Sequence, residues 1–221
     1  MVGMRRMLAT SLVFLVALAI GGCQREPANA LFLEQLAAVR DGRSGRIEVQ
    51  DAPVSDADLA LLTDLPNLKE LTLKQARITD AGLAHLDGIG TLEAIVLKGD
   101  LQISDAGLAH LAGLTRLKRL NLSQTTVTSA GLAHVAGLKR LELLRLGSSE
   151  ISDDGLVHLN ELKSLKSLIL QNAPLTDAAL DHVTALTKLE SLYLEGTQVT
   201  GKGIAELHKT FPDLHVHPHV L

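Results

Sequence analysis

The chain has 221 residues, of which 46% are hydrophobic and only 2% aromatic, so any core must be built from aliphatic side chains. That length fits a single domain, and the only cysteine, Cys23, excludes an intramolecular disulfide. A formal net charge of −4 gives the surface no electrostatic reason to bind nucleic acid.

The N-terminal residues have the organisation of a secretory signal. Arg5 and Arg6 give a positive start, a largely apolar run follows from residue 8 to 20, and two glycines precede Cys23. The run is shorter than the roughly 18 apolar residues that a membrane-spanning helix needs. Cleavage after Gly22 would remove both arginines and leave a net charge of −6.

The end of this signal, "AIGGC", resembles the lipobox of bacterial lipoproteins. The resemblance implies that residues 1–22 are removed and that Cys23 becomes the lipidated first residue, with residues 23–29 as a short tether. Two or three acyl chains, at about 0.8 kcal/mol per buried methylene, would hold the protein at a membrane. The expected location is the bacterial cell envelope, on its periplasmic or outer face. The alternative is an ordinary secretory peptide whose thiol has no such role.

Residues 30–53 predict a helix followed by a first strand. The stretch "ANALFLEQLAAVR" is amphipathic, and we expect it to form a helix that caps the N-terminal end of the region that follows. Its apolar residues available for packing are Leu31, Leu33, Leu36 and Val39. "RIEVQDAPV" then predicts a strand, because Ile47 and Val49 lie at the same offsets as Leu71 and Leu73 in the next segment.

Residues 54–221 consist of repeats and end in a predicted capping strand. The repeats are 24 residues long, one of them 25, and each begins with an apolar residue. These residues are Val54, Ile78, Ile103, Val127, Ile151, Leu175 and Val199. In "LKELTL", Leu71 and Leu73 alternate with polar residues, which predicts a half-buried strand. Since each unit is apolar on one side only, neighbouring units must stack to be stable.

A hydroxyl residue near the start of each unit predicts the beginning of a helix. Thr79 falls at the N-cap position, and Asp80 places negative charge in the first turn. Leu83 and Leu86 then lie on the inward side of this helix.

The unit "ISDAGLAHLAGLTRLKRLNLSQTT" resembles leucine-rich repeats, and its "LKRLNLSQTTV" carries their spacing of leucines. It is similar to bacterial repeats of the "ITDAGLAHL" kind and to the cysteine-containing class of F-box proteins, without the cysteine of that class. The resemblance covers about residue 45 to the end. It implies an α/β leucine-rich repeat solenoid, a right-handed β-α superhelix with a parallel sheet on the concave face and helices on the convex face. Such proteins mostly act as binding surfaces.

A histidine recurs at one position of the unit, in "GLAHL" and its variants. The five histidines are His85, His110, His134, His158 and His182. At about 100° per residue, His85 lies about 130° from the face centred on Leu83 and Leu86, which predicts a position toward solvent. Helix axes about 8 to 10 Å apart would keep this column from gathering around one metal ion. The histidines are then scaffold residues spread by duplication, or a pH-responsive surface.

The C-terminal "HVHPHVL" contains weak candidates for a metal site. His215 and His217 alternate with Val216 on the predicted last strand, so they share a face. Their separation of about 6.5 Å is compatible with one ion. The alternative is a polar strand that frays at the end of the chain.

The outward-facing strand residues are the predicted ligand-binding surface. Apolar side chains beside arginine and tyrosine are typical of binding hot spots. The candidates are Arg119, Asn121, Leu143, Arg145, Ile169, Tyr193 and Glu195. The outward positions of the neighbouring strands include Ala94 and Val96. The alternative is that these residues are merely strand formers, which parallel sheets prefer whether or not anything binds.

No catalytic motif is present, since the chain has no G-x-S-x-G, no glycine-rich phosphate loop and no H-E-x-x-H. We therefore predict a protein that is not an enzyme and needs no cofactor. The expected function is a membrane-anchored module that binds another protein, with a peptide or glycan as further candidates. The alternatives are a structural envelope protein without a dedicated ligand and a metal-responsive module that uses the C-terminal histidines.

Overall fold

The computed structural model describes residues 29–50, 52–99, 102–122, 125–148 and 150–217. The predicted signal peptide, Cys23 and all of the tether except Asn29 lie outside these ranges. Among the described residues, no helix is both long enough and apolar enough to cross a membrane.

The described residues form one nine-stranded sheet in which every pairing is parallel. The strands are β1 (Arg46–Val49), β2 (Val54–Ser55), β3 (Glu70–Arg77), β4 (Ala94–Gly99), β5 (Arg119–Leu122), β6 (Leu143–Gly147), β7 (Ser167–Gln171), β8 (Ser191–Tyr193) and β9 (His215–His217). They follow chain order from β1 to β9, except that β2 pairs beside the end of β3. This ribbon of stacked units confirms the predicted solenoid.

Helical segments lie between the strands and form the other side of each unit. The α-helices are α1 (Ala30–Arg40), α2 (Asp56–Leu59), α3 (Asp80–Ala84), α4 (Asp105–Ala109), α5 (Ala179–Val183) and α6 (Gly201–Thr210). Three segments are 3₁₀ helices, at Ala60–Leu62, Gly131–Val135 and Asp153–Leu159. The helix predicted for each unit is therefore a 3₁₀ helix in the units that begin at Val127 and Ile151.

The core lies between the sheet and the helical segments. Leu71 and Leu73 of β3 are completely buried, and so are Leu83 and Leu86 in the following segment. This confirms the inward positions predicted from the repeat. Each buried leucine contributes about 1.5 to 3 kcal/mol before the loss of chain entropy. Stability therefore depends on the stacking of neighbouring units.

The N-terminal helix α1 packs against β1 through Leu36 and Val39, as predicted, but with Phe32 in place of Leu31. Phe32, Leu36 and Val39 are buried, whereas Leu31 is 46% exposed and Leu33 is half-buried. The buried residues follow the spacing i, i+4, i+7, which places them on one stripe of a helix. Leu31 precedes Phe32 by one residue, or about 100° of rotation, and so lies off that stripe.

Gln35 of α1 satisfies the backbone at the free edge of β1. Its Nε2 donates to the carbonyl oxygen of Glu48 at 2.7 Å, and the backbone N–H of Glu48 donates to its Oε1 at 2.5 Å. The side-chain amide thus makes the two bonds that a further strand would make with this residue. Exposed backbone groups of this kind are the usual liability of an edge strand.

The aspartates at the helix starts connect successive units. Asp56 accepts two hydrogen bonds from Thr79 of the next unit, from the backbone N–H at 2.9 Å and from Oγ1 at 2.6 Å. Thr79 Oγ1 in turn accepts from the backbone N–H of Ala81, as an N-cap does. The same pair of hydrogen bonds joins Asp80 to Ser104, Asp105 to Thr128, Asp153 to Thr176 and Asp177 to Thr200. We call these five aspartates the aspartate ladder.

The ladder is interrupted once, where Ser129 occupies the aspartate position. Its Oγ lies 3.0 Å from the Oγ of Ser152 and accepts from the backbone N–H of Ser152 at 2.9 Å. A neutral hydroxyl therefore replaces a carboxylate at this junction. Hydrogen bonds to a neutral acceptor are weaker than those to a charged one.

The ladder also explains the glycine of "GLAHL". A Cβ atom at Gly131 would overlap the carboxylate of Asp105, and one at Gly107 would overlap that of Asp80. The unit that begins at Leu175 shows that the position is not confined to glycine, because Ala179 is buried there while Asp153 still bonds to Thr176. Glycine thus provides room for a carboxylate from the preceding unit.

The five recurring histidines are all half-buried, as predicted from their position on the helical segment. His85 and His110 are the C-cap residues of α3 and α4. Within the described ranges, no three His, Cys, Asp or Glu side chains form a group that could hold a metal ion.

Candidate functional site

The outward side of the sheet, here called the strand face, carries one row of side chains for each register position. The central row consists of Glu48, Thr72, Val96, Asn121, Arg145, Ile169, Tyr193 and His217. The row beside it consists of Arg46, Glu70, Ala94, Arg119, Leu143, Ser167, Ser191 and His215. These rows bring six of the predicted binding residues onto one surface. The seventh, Glu195, lies two residues beyond the end of β8.

Ion pairs occupy the N-terminal half of the strand face. Arg46 pairs with Glu48 at 2.7 Å and with Glu70 at 3.6 Å, and Arg119 reaches Glu70 at 3.0 Å. Ala94 lies between Glu70 and Arg119 in register and is only 2% exposed. Its predicted outward exposure is therefore wrong, because the small side chain lies under the ion pair that crosses it. Most of the charge in this half is balanced within the protein.

The adjoining polar residues extend this network along the N-terminal half. Gln50 Nε2 donates to Glu48 Oε1 at 2.6 Å, and Lys74 Nζ donates to Gln50 Oε1 at 2.6 Å. The side chains in this half already form hydrogen bonds and ion pairs with one another. A ligand would have to replace those bonds in order to bind.

The C-terminal half has a different composition. Leu143 and Ile169 are half-buried on its surface, Leu143 two residues before Arg145 on β6 and Ile169 in register with Arg145 on β7. Arg145 Nη2 donates to Gln171 Oε1 at 2.7 Å, and Gln171 Nε2 donates to Glu195 Oε2 at 2.7 Å. Arg145 Nε is buried and has no hydrogen-bond partner among the described atoms. No carboxylate of a described residue forms an ion pair with Arg145, unlike Arg46 and Arg119.

The last two strands place two rings against each other on this half. The rings of Tyr193 and His217 stack with centroids 4.1 Å apart and planes at 6°. Their strands pair in register, which puts both side chains on the same face. His215 also lies on this face, beside Ser191, as the alternation in the sequence predicts. The sequence did not reveal that His217 packs on Tyr193, because that contact requires the register between β8 and β9.

A cavity of about 580 Å³ lies at the opposite end, between α1 and the strand face. Its lining residues are Leu31, Gln35, Ala38, Ser44, Arg46, Glu48 and Gln50. Several of these polar groups already bond within the protein, as described for Gln35, Glu48 and Arg46. This cavity was not predictable from the sequence, because it depends on which face α1 turns toward the sheet.

No protein-family model matches the chain, and no curated protein matches it either. Among solved structures, an internalin (inlF) from Listeria monocytogenes is 25% identical, with a TM-score of 0.64. The match covers 84% of this chain and 51% of the internalin, so this chain spans about half the length of that protein. An internalin C2 (inlC2) from the same organism is 22% identical, with a TM-score of 0.57, and the match covers 85% of this chain and 96% of the other. The likeness shows the fold, an α/β leucine-rich repeat solenoid.

Proposed function

We propose that this protein is a lipid-anchored module of the bacterial cell envelope that binds another protein through the C-terminal half of its strand face. One observation carries the proposal, namely the contrast between the two halves of that face. The N-terminal half is closed by its own ion pairs, whereas the C-terminal half presents Leu143, Ile169 and Tyr193 around Arg145. Aromatic and arginine side chains among apolar neighbours are the residues that dominate binding energy in protein interfaces.

Two further points support an interaction module rather than an enzyme. Two solved structures that resemble this chain are internalins, which are leucine-rich repeat proteins. The hydrogen-bonded side-chain pairs described on the strand face are Arg–Glu, Lys–Gln, Arg–Gln and Gln–Glu, and none of them is a nucleophile beside a base. The proposed activity is therefore binding without chemistry.

A crosslinking experiment in cells tests the face that binds. The photoreactive residue p-benzoylphenylalanine replaces Ile169 in the full chain, and the cells are irradiated. Two matched controls carry it at Thr72, in the same row of the N-terminal half, and at Val157, an apolar residue of the helical side that is 47% exposed. We expect a discrete crosslinked protein from position 169 alone. A crosslink from 157 and none from 169 would contradict the proposal and assign binding to the helical side.

The lipid anchor has its own test. Cells expressing the full chain are fed an alkyne analogue of palmitate, and the protein is compared with the Cys23→Ala variant. We expect label and membrane association in the wild-type protein and neither in the variant. An unlabelled wild-type protein recovered in the soluble fraction would show that residues 1–22 are an ordinary secretory peptide.

A further inference from the structure

Arg145 differs from the other arginines of the strand face in what it contacts. Arg46 and Arg119 each pair with a glutamate, whereas the hydrogen bond of Arg145 goes to the neutral amide of Gln171. Arg145 is half-buried, and its Nε is buried without a partner among the described atoms. A partly desolvated guanidinium without a carboxylate partner is stabilised when a ligand supplies a carboxylate.

The neighbouring outward position in β6 carries no side chain. Leu143, Arg145 and Gly147 alternate along the outward side of this strand, and Gly147 is the residue next to Arg145 on that side. Gly147 pairs in register with Gln171, whose amide bonds to Arg145. Gly147 therefore contributes no side chain that would compete with a ligand for the guanidinium. Gly147 has no positive φ, so a side chain could be placed there without backbone strain.

The guanidinium is held in place before any ligand arrives. Gln171 accepts from Arg145 and donates to Glu195, so its amide orientation is fixed by both neighbours. A binding group that is already ordered loses less entropy when the complex forms. The remaining donors of Arg145 are available for a carboxylate, the group that a guanidinium binds with two parallel hydrogen bonds.

We infer that Arg145 and Gly147 form a receptor for a carboxylate of the partner protein, one with an aliphatic or aromatic side chain next to it. This inference rests on the proposed binding function. Leu143 and Ile169 flank the receptor and contact the apolar neighbour, while Arg145 binds the Asp or Glu. Glu195 lies at the far end of the same hydrogen-bonded chain and disfavours a second acidic group there. The partner segment is thus acidic at one position and apolar beside it.

Selection from a random dodecamer peptide library displayed on phage, against the immobilised full chain, tests this chemistry. We expect the enriched peptides to contain Asp or Glu beside an aliphatic or aromatic residue. A synthetic peptide with the enriched sequence should bind the Arg145→Ala and Gly147→Gln proteins at least about tenfold more weakly than the wild type. Binding to Arg46→Ala, whose arginine already pairs with Glu48 and Glu70, should be unchanged.

Three results would overturn the inference: enriched peptides without acidic residues, equal binding by Arg145→Ala, or no peptide enriched over the same selection on Arg145→Ala. Replacement of the peptide's acidic residue by its amide must also weaken binding to the wild type. Equal melting temperatures of wild type and variants exclude misfolding as the cause. If position 169 crosslinks a protein in cells but peptide binding does not depend on Arg145, the proposed binding function is supported and the carboxylate receptor is contradicted.

Discussion

The aspartate ladder and the strand face are built on the same repeats but differ in how much their residues vary. The ladder uses a carboxylate and a Thr or Ser, with the same atoms bonded, at five junctions. The central row of the strand face holds a different residue in every strand. Strand pairing uses only the backbone, so the outward side chains are free to differ. In this chain, recurrence marks the residues that hold units together, and variation marks the surface available for recognition.

The recurring histidines do not vary from unit to unit, so this criterion does not mark them as a recognition surface. They occupy one position of five units and are all half-buried at the ends of helical segments. The strand-face candidates, by contrast, are different residue types at equivalent positions of their units. Four predictions use this contrast, beginning with the largest expected effect.

Removal of a ladder carboxylate should destabilise the fold most. In Asp105→Ala, the backbone N–H and hydroxyl of Thr128 lose acceptors at 2.8 and 2.7 Å. We expect the free energy of unfolding in urea to fall by about 2 kcal/mol, since both lost bonds end on a charged group. Ser129→Ala is the matched control at the junction with a neutral acceptor, and its loss should be smaller. Equal losses would show that the carboxylate is not what holds the units together.

Restoration of the missing carboxylate should stabilise the fold. In Ser129→Asp, the new side chain can accept from the backbone N–H and hydroxyl of Ser152, the arrangement found at the other junctions. Gly155 has no side chain to collide with the added carboxylate, although a Cβ there would lie only 2.9 Å from the backbone Cα of Ser129. We expect a gain of about 1 kcal/mol in unfolding free energy. A loss in urea titration would mean that this junction is spaced differently from the rest.

Removal of a strand-face arginine should change stability little. Arg119→Ala breaks the pair with Glu70, but both side chains are substantially exposed, at 52% and 33%. Exposed ion pairs contribute less than about 1 kcal/mol, and the urea midpoint should move accordingly. A larger loss than that of Asp105→Ala would reverse the assignment of scaffold and recognition surface.

The Asp177 junction of the ladder should weaken in acid. The backbone N–H and the hydroxyl of Thr200 hold the pKa of Asp177 below its usual value. A lowered pKa stabilises the folded state above the unfolded pKa of about 3.9, and that contribution is lost as pH falls through the folded value. The urea midpoint should therefore drop below about pH 4, and less steeply in Asp177→Asn. An equal drop in Asp177→Asn would show that this carboxylate does not stabilise the fold.

The sequence predicted the features that depend on period alone. The alternation in "LKELTL" placed Leu71 and Leu73 in the core, and the phase of the repeats placed Arg145, Ile169 and Tyr193 on one face. Features that depend on atoms of two units were not predictable. The sequence predicts Asp80 only as a first-turn charge, because nothing in one unit shows that its carboxylate meets Ser104 of the next.

The same limit applies to contacts that skip a strand or depend on helix rotation. Arg119 reaches Glu70 across Ala94, a distance of two units that no local pattern encodes. Phe32 rather than Leu31 faces the core, because the choice between neighbouring residues is set by how α1 docks on β1. Aliphatic and aromatic residues in one amphipathic stretch offer more than one such arrangement.

Gln35 has a consequence for the association of separate molecules. Its amide bonds both backbone groups of Glu48, so the first strand offers no complete template to a strand from a neighbouring molecule. An open edge of a parallel sheet is where two such ribbons could join end to end. One glutamine at the start of the array blocks that pairing at Glu48.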